Sequence, residues 1–132
     1  MARFLIMDDE EAMREVMRMV LEEDGHEVEE ASNGVAGLEM FRARPADVVV
    51  TDLIMPKKDG IETIRDLRRE FPNVKIVAVS GRGGLQINAN LERARRIGAD
   101  VTIQKPCEPR DIRDAVRSLT ETEAQKKKKL KT

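Results

Sequence analysis

Four apolar runs of this chain each end on a polar residue suited to phosphate or metal chemistry. Phe4-Leu5-Ile6-Met7 leads into Asp8-Asp9, and Val48-Val49-Val50-Thr51 leads into Asp52. Ile76-Val77-Ala78-Val79 leads into Ser80, and Val101-Thr102-Ile103-Gln104 leads into Lys105-Pro106. If the runs are strands of an open parallel sheet, their polar ends meet, because ligands bind outside the carboxyl ends of such strands. Three close carboxylates repel, and each raises the pKa of the next. A hard divalent cation relieves this. Mg²⁺ typically takes one or two carboxylates, waters and a substrate phosphate, and Mn²⁺ accepts the same oxygen donors. Lys105 is a mobile ammonium able to reach a phosphoryl oxygen. A carboxylate beside such a cation can act as a nucleophile and form an acyl phosphate. The cation, Lys105 and the Ser80 hydroxyl would then serve the equatorial oxygens of the transferred group. Asp52 is the best nucleophile candidate, since it ends the most hydrophobic run. Duller readings exist: Asp9 as the N-cap of the next helix, Asp52 as a helix or turn cap.

The elements that must hold these residues alternate strand and helix five times, which argues for a parallel sheet covered on both faces. Strands are expected at 3–7, around Val28, at 46–51, at 75–79 and at 101–104. Glu27, Glu29 and Glu30 make the second strand polar, as an edge strand should be. Helical spacing marks 10–24 through Met13, Val16, Met17, Val20 and Leu21, and 34–43 through Val35, Leu38 and Phe41. A third helix follows the loop at 55–60 through Ile61, Ile64, Leu67 and Phe71, and a fourth lies at about 86–97 through Ile87, Leu91, Ala94 and Ile97. Gly98 suits the position after that helix. Pro109 suits the first turn of a fifth, which buries Ile112, Val116 and Leu119. With the polar strand at one edge, right-handed crossovers give the order 2-1-3-4-5. The order reverses between strands one and three, which puts Asp8, Asp9 and Asp52 at the lip of the crevice that ligands favour.

Composition narrows the function. The 132 residues fit one domain, and no apolar run reaches the ~18 residues of a membrane span. The start has no signal-peptide layout. Cys107 is the lone cysteine, which rules out an internal disulfide and fits a reducing, cytoplasmic setting. Phe4, Phe41 and Phe71 are the whole aromatic content, so base stacking on single strands has little support. Residues 120–132 carry five lysines against two glutamates, and the rest of the chain 19 basic against 23 acidic residues. An acidic body with a short basic tail is not the footprint of a nucleic-acid binder.

These motifs resemble the receiver domain of two-component response regulators, the CheY-like superfamily. The likeness runs over residues 3–119. It rests on Phe4 to Glu10, Asp52 to Pro56 with Asp59-Gly60, Ser80-Gly81, Gly98-Ala99-Asp100 and Lys105-Pro106. It implies a flavodoxin-like doubly wound (βα)5 fold, with a receiver domain over 1–119 and a Lys-rich tail over 120–132. It also implies that Asp52 takes a phosphoryl group from a phosphohistidine of a sensor kinase or phosphotransfer protein. Asp9 would bind Mg²⁺ directly and Asp8 largely through water, with the backbone carbonyl of Ile54 as a further ligand. Ser80 would be the switch hydroxyl, and Lys105 would pair with the acceptor across a cis Lys105–Pro106 bond. Output to a downstream protein would pass through the face of helix four, strand five and helix five. No turnover of a separate substrate is expected, only self-phosphorylation and slow loss of the phosphoryl group.

The chain also departs from that pattern. Thr102 stands where the family usually has Tyr or Phe as a second switch residue, so the switch is read by other groups or coupled more weakly. Cys107 replaces a frequent Phe and reads as a small apolar filler. The stretch from Ser80 to Gly98 is a few residues long for the family, and its glycines predict a helix-four start that orders on phosphorylation. Arg82 reads as a solvated loop arginine, or as a group that shields the phosphoryl. His26 reads as a surface turn residue, and Met13, Met17, Met19 and Met40 as packing. Arg93, Arg95 and Arg96 give helix four a basic side, and Lys126 to Lys129 with Lys131 read as a frayed tail. About 13 residues follow the last helix core, too few for an effector domain, so the expectation is either a stand-alone regulator or a receiver excised from a longer chain. Other classes fit less well. A haloacid-dehalogenase-type phosphatase would want a second aspartate two residues after the first, where Ile54 stands. A flavin phosphate would want amides and hydroxyls in the first turn, where carboxylates stand. A phosphorylation-independent interaction module with the same fold is the remaining alternative.

Overall fold

The computed structural model describes residues 2–81 and 87–120. The sequence readings for Arg82, Gly83, Gly84, the start of helix four and the lysine tail lie outside the described residues.

Five strands form one parallel sheet: β1 (Arg3–Met7), β2 (Glu27–Ala31), β3 (Val48–Asp52), β4 (Lys75–Ser80) and β5 (Val101–Gln104). Their order is β2-β1-β3-β4-β5, the flavodoxin-like order expected from the polar second strand. The helices are α1 (Glu11–Glu23), α2 (Gly34–Ala43), α3 (Gly60–Glu70), α4 (Ile87–Ile97) and α5 (Pro109–Thr120). The pleat sends alternate strand residues to opposite faces. Leu5, Met7, Val49, Ile76 and Ala78 face Leu38, Phe41, Ile64, Leu67 and Leu91, which belong to α2, α3 and α4. Phe4, Ile6, Val50, Val77 and Val79 face Met17, Val20, Leu21, Ile112 and Val116, from α1 and α5. Every residue of β3 is buried, as suits a central strand with apolar layers on both sides.

Helix ends follow local chemistry. Asn33 and Asp59 cap α2 and α3, accepting from the backbone N–H of Ala36 and Glu62 at 2.9 Å each. Gly98 ends α4 at φ +132°, a backbone conformation that favours glycine. The Ala99 N–H then reaches the Ala94 carbonyl at 2.9 Å, closing a Schellman motif. α1 differs from one sequence reading. Its N-cap is Glu10, whose side chain makes no cap hydrogen bond, so Asp9 is not the cap.

Two packing expectations need correction. Met19 is 55% exposed, since it lies on the outer side of α1, whereas Met17 is buried and Met13 and Met40 pack against the core edges. His26 is half-buried. Its Nδ1 accepts the Ala2 N–H at 2.9 Å, and its ring lies 4.8 Å from that of Phe4.

Candidate functional site: an acidic cluster at the strand ends

Asp52 and Ser80 are the last residues of β3 and β4, and Asp8 and Lys105 immediately follow β1 and β5. The parallel register brings these ends together: Met7 pairs with Thr51, Asp52 with Val79, and Ser80 with Gln104. The carboxylates do not lie at a lip. Asp8 is fully buried and Asp52 is 2% exposed, so they form the floor of the cleft, with Asp9 partly exposed above them.

Carboxylate oxygens of Asp8, Asp9, Glu10 and Asp52 all lie within 4.8 Å of one another. Lys105 Nζ donates to Asp8 Oδ2 at 3.1 Å, to Asp52 Oδ2 at 3.3 Å and to Glu10 Oε1 at 3.4 Å. Its backbone N–H donates to the Ser80 carbonyl at 2.8 Å, which ties the end of β5 to β4. The Lys105–Pro106 bond is cis, as the resemblance implies. Gly81 lets the lysine through: a Cβ there would strike the Lys105 side chain.

Asp52 lies deep in this enclosure. Burial pushes its pKa up. Lys105 opposes that rise, Asp8 adds to it, and the Ile54 N–H, 3.4 Å from Oδ1, opposes it again; the net result is a raised value. Burial alone would depress the Lys105 ammonium. The pull of Asp52, Asp8 and Glu10 overcomes that and leaves its pKa raised. The Ser80 hydroxyl is fully buried and has no hydrogen-bond partner among the described residues. A buried hydroxyl in that state is uncommon and disfavoured. An anionic oxygen placed in the cleft would give it an acceptor. The donor set fits a divalent cation: carboxylate oxygens with the backbone at Ile54 close by are the hard oxygen ligands of Mg²⁺.

Glu10 was absent from the ligand set expected from the sequence. Its place directly after Asp8-Asp9 was the available signal. Thr102 lies away from the carboxylates, paired with Ala78 in the sheet, and its hydroxyl accepts from Arg95 Nη2 of α4 at 2.6 Å. Cys107 is half-buried, packed against the α1/α5 layer, and burial pushes its thiol pKa up, which suits a filler and opposes thiolate chemistry. No helix among the described residues is long and apolar enough to cross a membrane.

A five-stranded parallel sheet in this order, with an acid cluster and a lysine at its carboxyl ends, defines a CheY-like receiver architecture. The model of the response regulator receiver domain family matches residues 4–117, and the chain belongs to that family. It is 33% identical over 112 residues to the chemotaxis protein CheY of Halobacterium salinarum, covering 85% of this chain and 91% of that protein. It is 32% identical over 119 residues to the CheY of Thermotoga maritima, covering 89% and 97%. Among solved structures, a response regulator receiver domain protein from Clostridium thermocellum superposes with a TM-score of 0.81 at 30% identity, over 100% of both chains. Members of this family accept a phosphoryl group, generally bind Mg²⁺, and work between sensor kinases and downstream targets in two-component signalling.

Proposed function

We propose that this chain is a phosphorylation switch in which Asp52 accepts a phosphoryl group from a phosphohistidine. An Asp52 carboxylate oxygen attacks phosphorus, the P–N bond breaks, and its electron pair stays on the donor imidazole. Asp8, Asp9 and Asp52, with the Ile54 carbonyl, would hold Mg²⁺, and Glu10 is near enough to join through water. Bound there, the cation supplies positive charge to the phosphoryl oxygens. Lys105 supplies a second positive charge from the β5 side. The Ser80 hydroxyl donates to a third oxygen, which gives it a partner that it lacks among the described residues.

The observation that carries this reading is the sharing of Lys105 between Asp8 and Asp52 at 3.1 and 3.3 Å. A salt bridge formed for stability alone needs one carboxylate. Here one lysine spans two buried ones, which leaves anionic charge for a cation to offset.

The donor would be a sensor kinase or phosphotransfer protein. The output would be a population shift on the α4–β5–α5 face, where Arg95 already links α4 to Thr102. Incubation of the full chain with Mg²⁺ and a small acyl phosphate donor, followed by intact mass, tests this. Wild type should gain one labile phosphoryl group and Asp52→Ala none. No gain by wild type would leave the interaction-module reading. Repeated rapid consumption of donor would point to a phosphatase.

A further inference from the structure

The acidic turn is held through its backbone by a residue outside the proposed ligand set. Arg14 of α1 donates from Nη1 to the backbone carbonyl of Asp8 at 2.7 Å. The same guanidinium donates from Nε to Glu30 on the edge strand β2 at 3.2 Å. Glu30 is fixed from its other side by Arg18 at 2.5 Å, and Arg18 also holds Glu22 at 2.7 Å. Arg18 therefore already docks α1 onto β2, and Arg14 adds a contact that docking does not require.

That contact fixes one peptide group. The Asp8 N–H is bonded to the Ala31 carbonyl at 3.1 Å, and its carbonyl is bonded to Arg14. The carbonyl belongs to the peptide that joins Asp8 to Asp9, so its orientation sets where the Asp9 side chain starts. It also sets the approach of the Glu10 N–H to Asp8 Oδ1, at 2.9 Å. The planar guanidinium fork can grip a carboxylate and a carbonyl together, whereas a lysine ammonium is a point charge.

We propose that Arg14, braced by Glu30, is a positioning residue for the Asp8–Asp9 turn and sets its affinity for a divalent cation. This rests on the reading of that turn as a Mg²⁺ site. Groups that orient metal ligands are typically worth about 10–100-fold in affinity.

Calorimetric titration of the full chain with Mg²⁺ tests it, on wild type, Arg14→Lys and Arg14→Met, with the thermal midpoint and the Glu10 amide NMR signal recorded for each. Arg14→Met should weaken Mg²⁺ by about tenfold. Arg14→Lys should weaken it several-fold despite the kept charge, and both should move the Glu10 amide signal in the metal-free protein. A tighter Arg14→Met with an unchanged Arg14→Lys would mean that only charge matters, and would overturn the proposal. Lower midpoints with unchanged affinities would reduce Arg14 to a structural role, and would overturn it too. Wild type that takes up no Mg²⁺ sinks both this proposal and the metal-site reading. Wild type that binds alongside variants that match it sinks the Arg14 proposal alone.

Discussion

The two ends of the sheet handle charge in opposite ways. At the amino ends of the strands, one arginine serves many oxygens. Arg68 of α3 donates to the carbonyls of Pro72, Val74 and Gly98 at 2.7, 2.8 and 2.6 Å, and to Asp100 at 3.2 Å. Asp100 in turn accepts the Ile76 N–H at 2.8 Å. At the carboxyl ends, Lys105 faces a cluster of four carboxylates. The first arrangement is electrostatically closed and secures α3, β4 and the turn into β5. The second is open: it gathers like charge around Lys105, and on the proposed reading a cation and a phosphoryl group would complete it. On that reading, one end secures the fold and the other holds the reacting groups.

Removing the closed end should have the largest effect on folding. Arg68→Ala leaves three carbonyls and a carboxylate without their cationic donor, and should destabilise by about 2–3 kcal/mol in urea unfolding. Phosphoryl uptake at native conditions should persist, since no atom of the cleft is touched.

At the open end the sign should reverse. Asp52→Asn removes a buried charge whose folded pKa lies above its ordinary value of 3.8. A raised carboxylate opposes folding once it is ionised. The variant should therefore gain on the order of 1 kcal/mol in metal-free buffer at neutral pH. That gain should be full above the raised folded pKa and vanish as pH falls below 3.8. Saturating Mg²⁺ should narrow the gap, because at tenfold above its Kd it stabilises wild type by about 1.4 kcal/mol. Thermal melts over a pH series, with and without Mg²⁺, check both parts.

A smaller gain is expected for Ser80→Ala. The hydroxyl is buried without a partner among the described residues, so its loss should stabilise the unphosphorylated protein by up to ~1 kcal/mol. Phosphoryl uptake from a small donor should slow in the same variant.

The smallest effect concerns His26, at the amino end. Burial lowers its pKa from 6.5, against an opposing pull from Asp24. The neutral ring accepts the Ala2 N–H. Its contribution is full above pH 6.5 and is lost as pH falls through the depressed folded value. His26→Gln should flatten that part of the stability profile, and chemical unfolding between pH 5 and 7 measures it.

The open end was far more legible in the sequence than the closed one. Asp8, Asp9, Asp52, Ser80 and Lys105 announce themselves because each follows an apolar run, and strand ends in a parallel sheet converge by topology. The strand order followed from the polar Glu27, Glu29 and Glu30 together with the right-handed crossover rule. Arg68 gave no such signal. Most of its acceptors are backbone carbonyls, which have no residue type, and Gly98 is 30 positions away. Arg14 carries no sequence signal for the same reason, since its acceptor at Asp8 is a carbonyl. The Arg95–Thr102 hydrogen bond needed the packing of α4 on β5 before it could be seen. Glu10 was visible but unassigned, as a third consecutive acid looks like a helix start.

The location of the phosphoryl group is the most direct test of the account. The full chain should be treated with Mg²⁺ and an acyl phosphate donor, then with borohydride, which reduces an acyl phosphate carboxyl to the alcohol. Peptide masses should show homoserine at position 52, formed only with Mg²⁺ and abolished by Lys105→Ala or strongly reduced. Reduction at another carboxylate, or an unaltered Asp52 after efficient phosphoryl uptake, would contradict it.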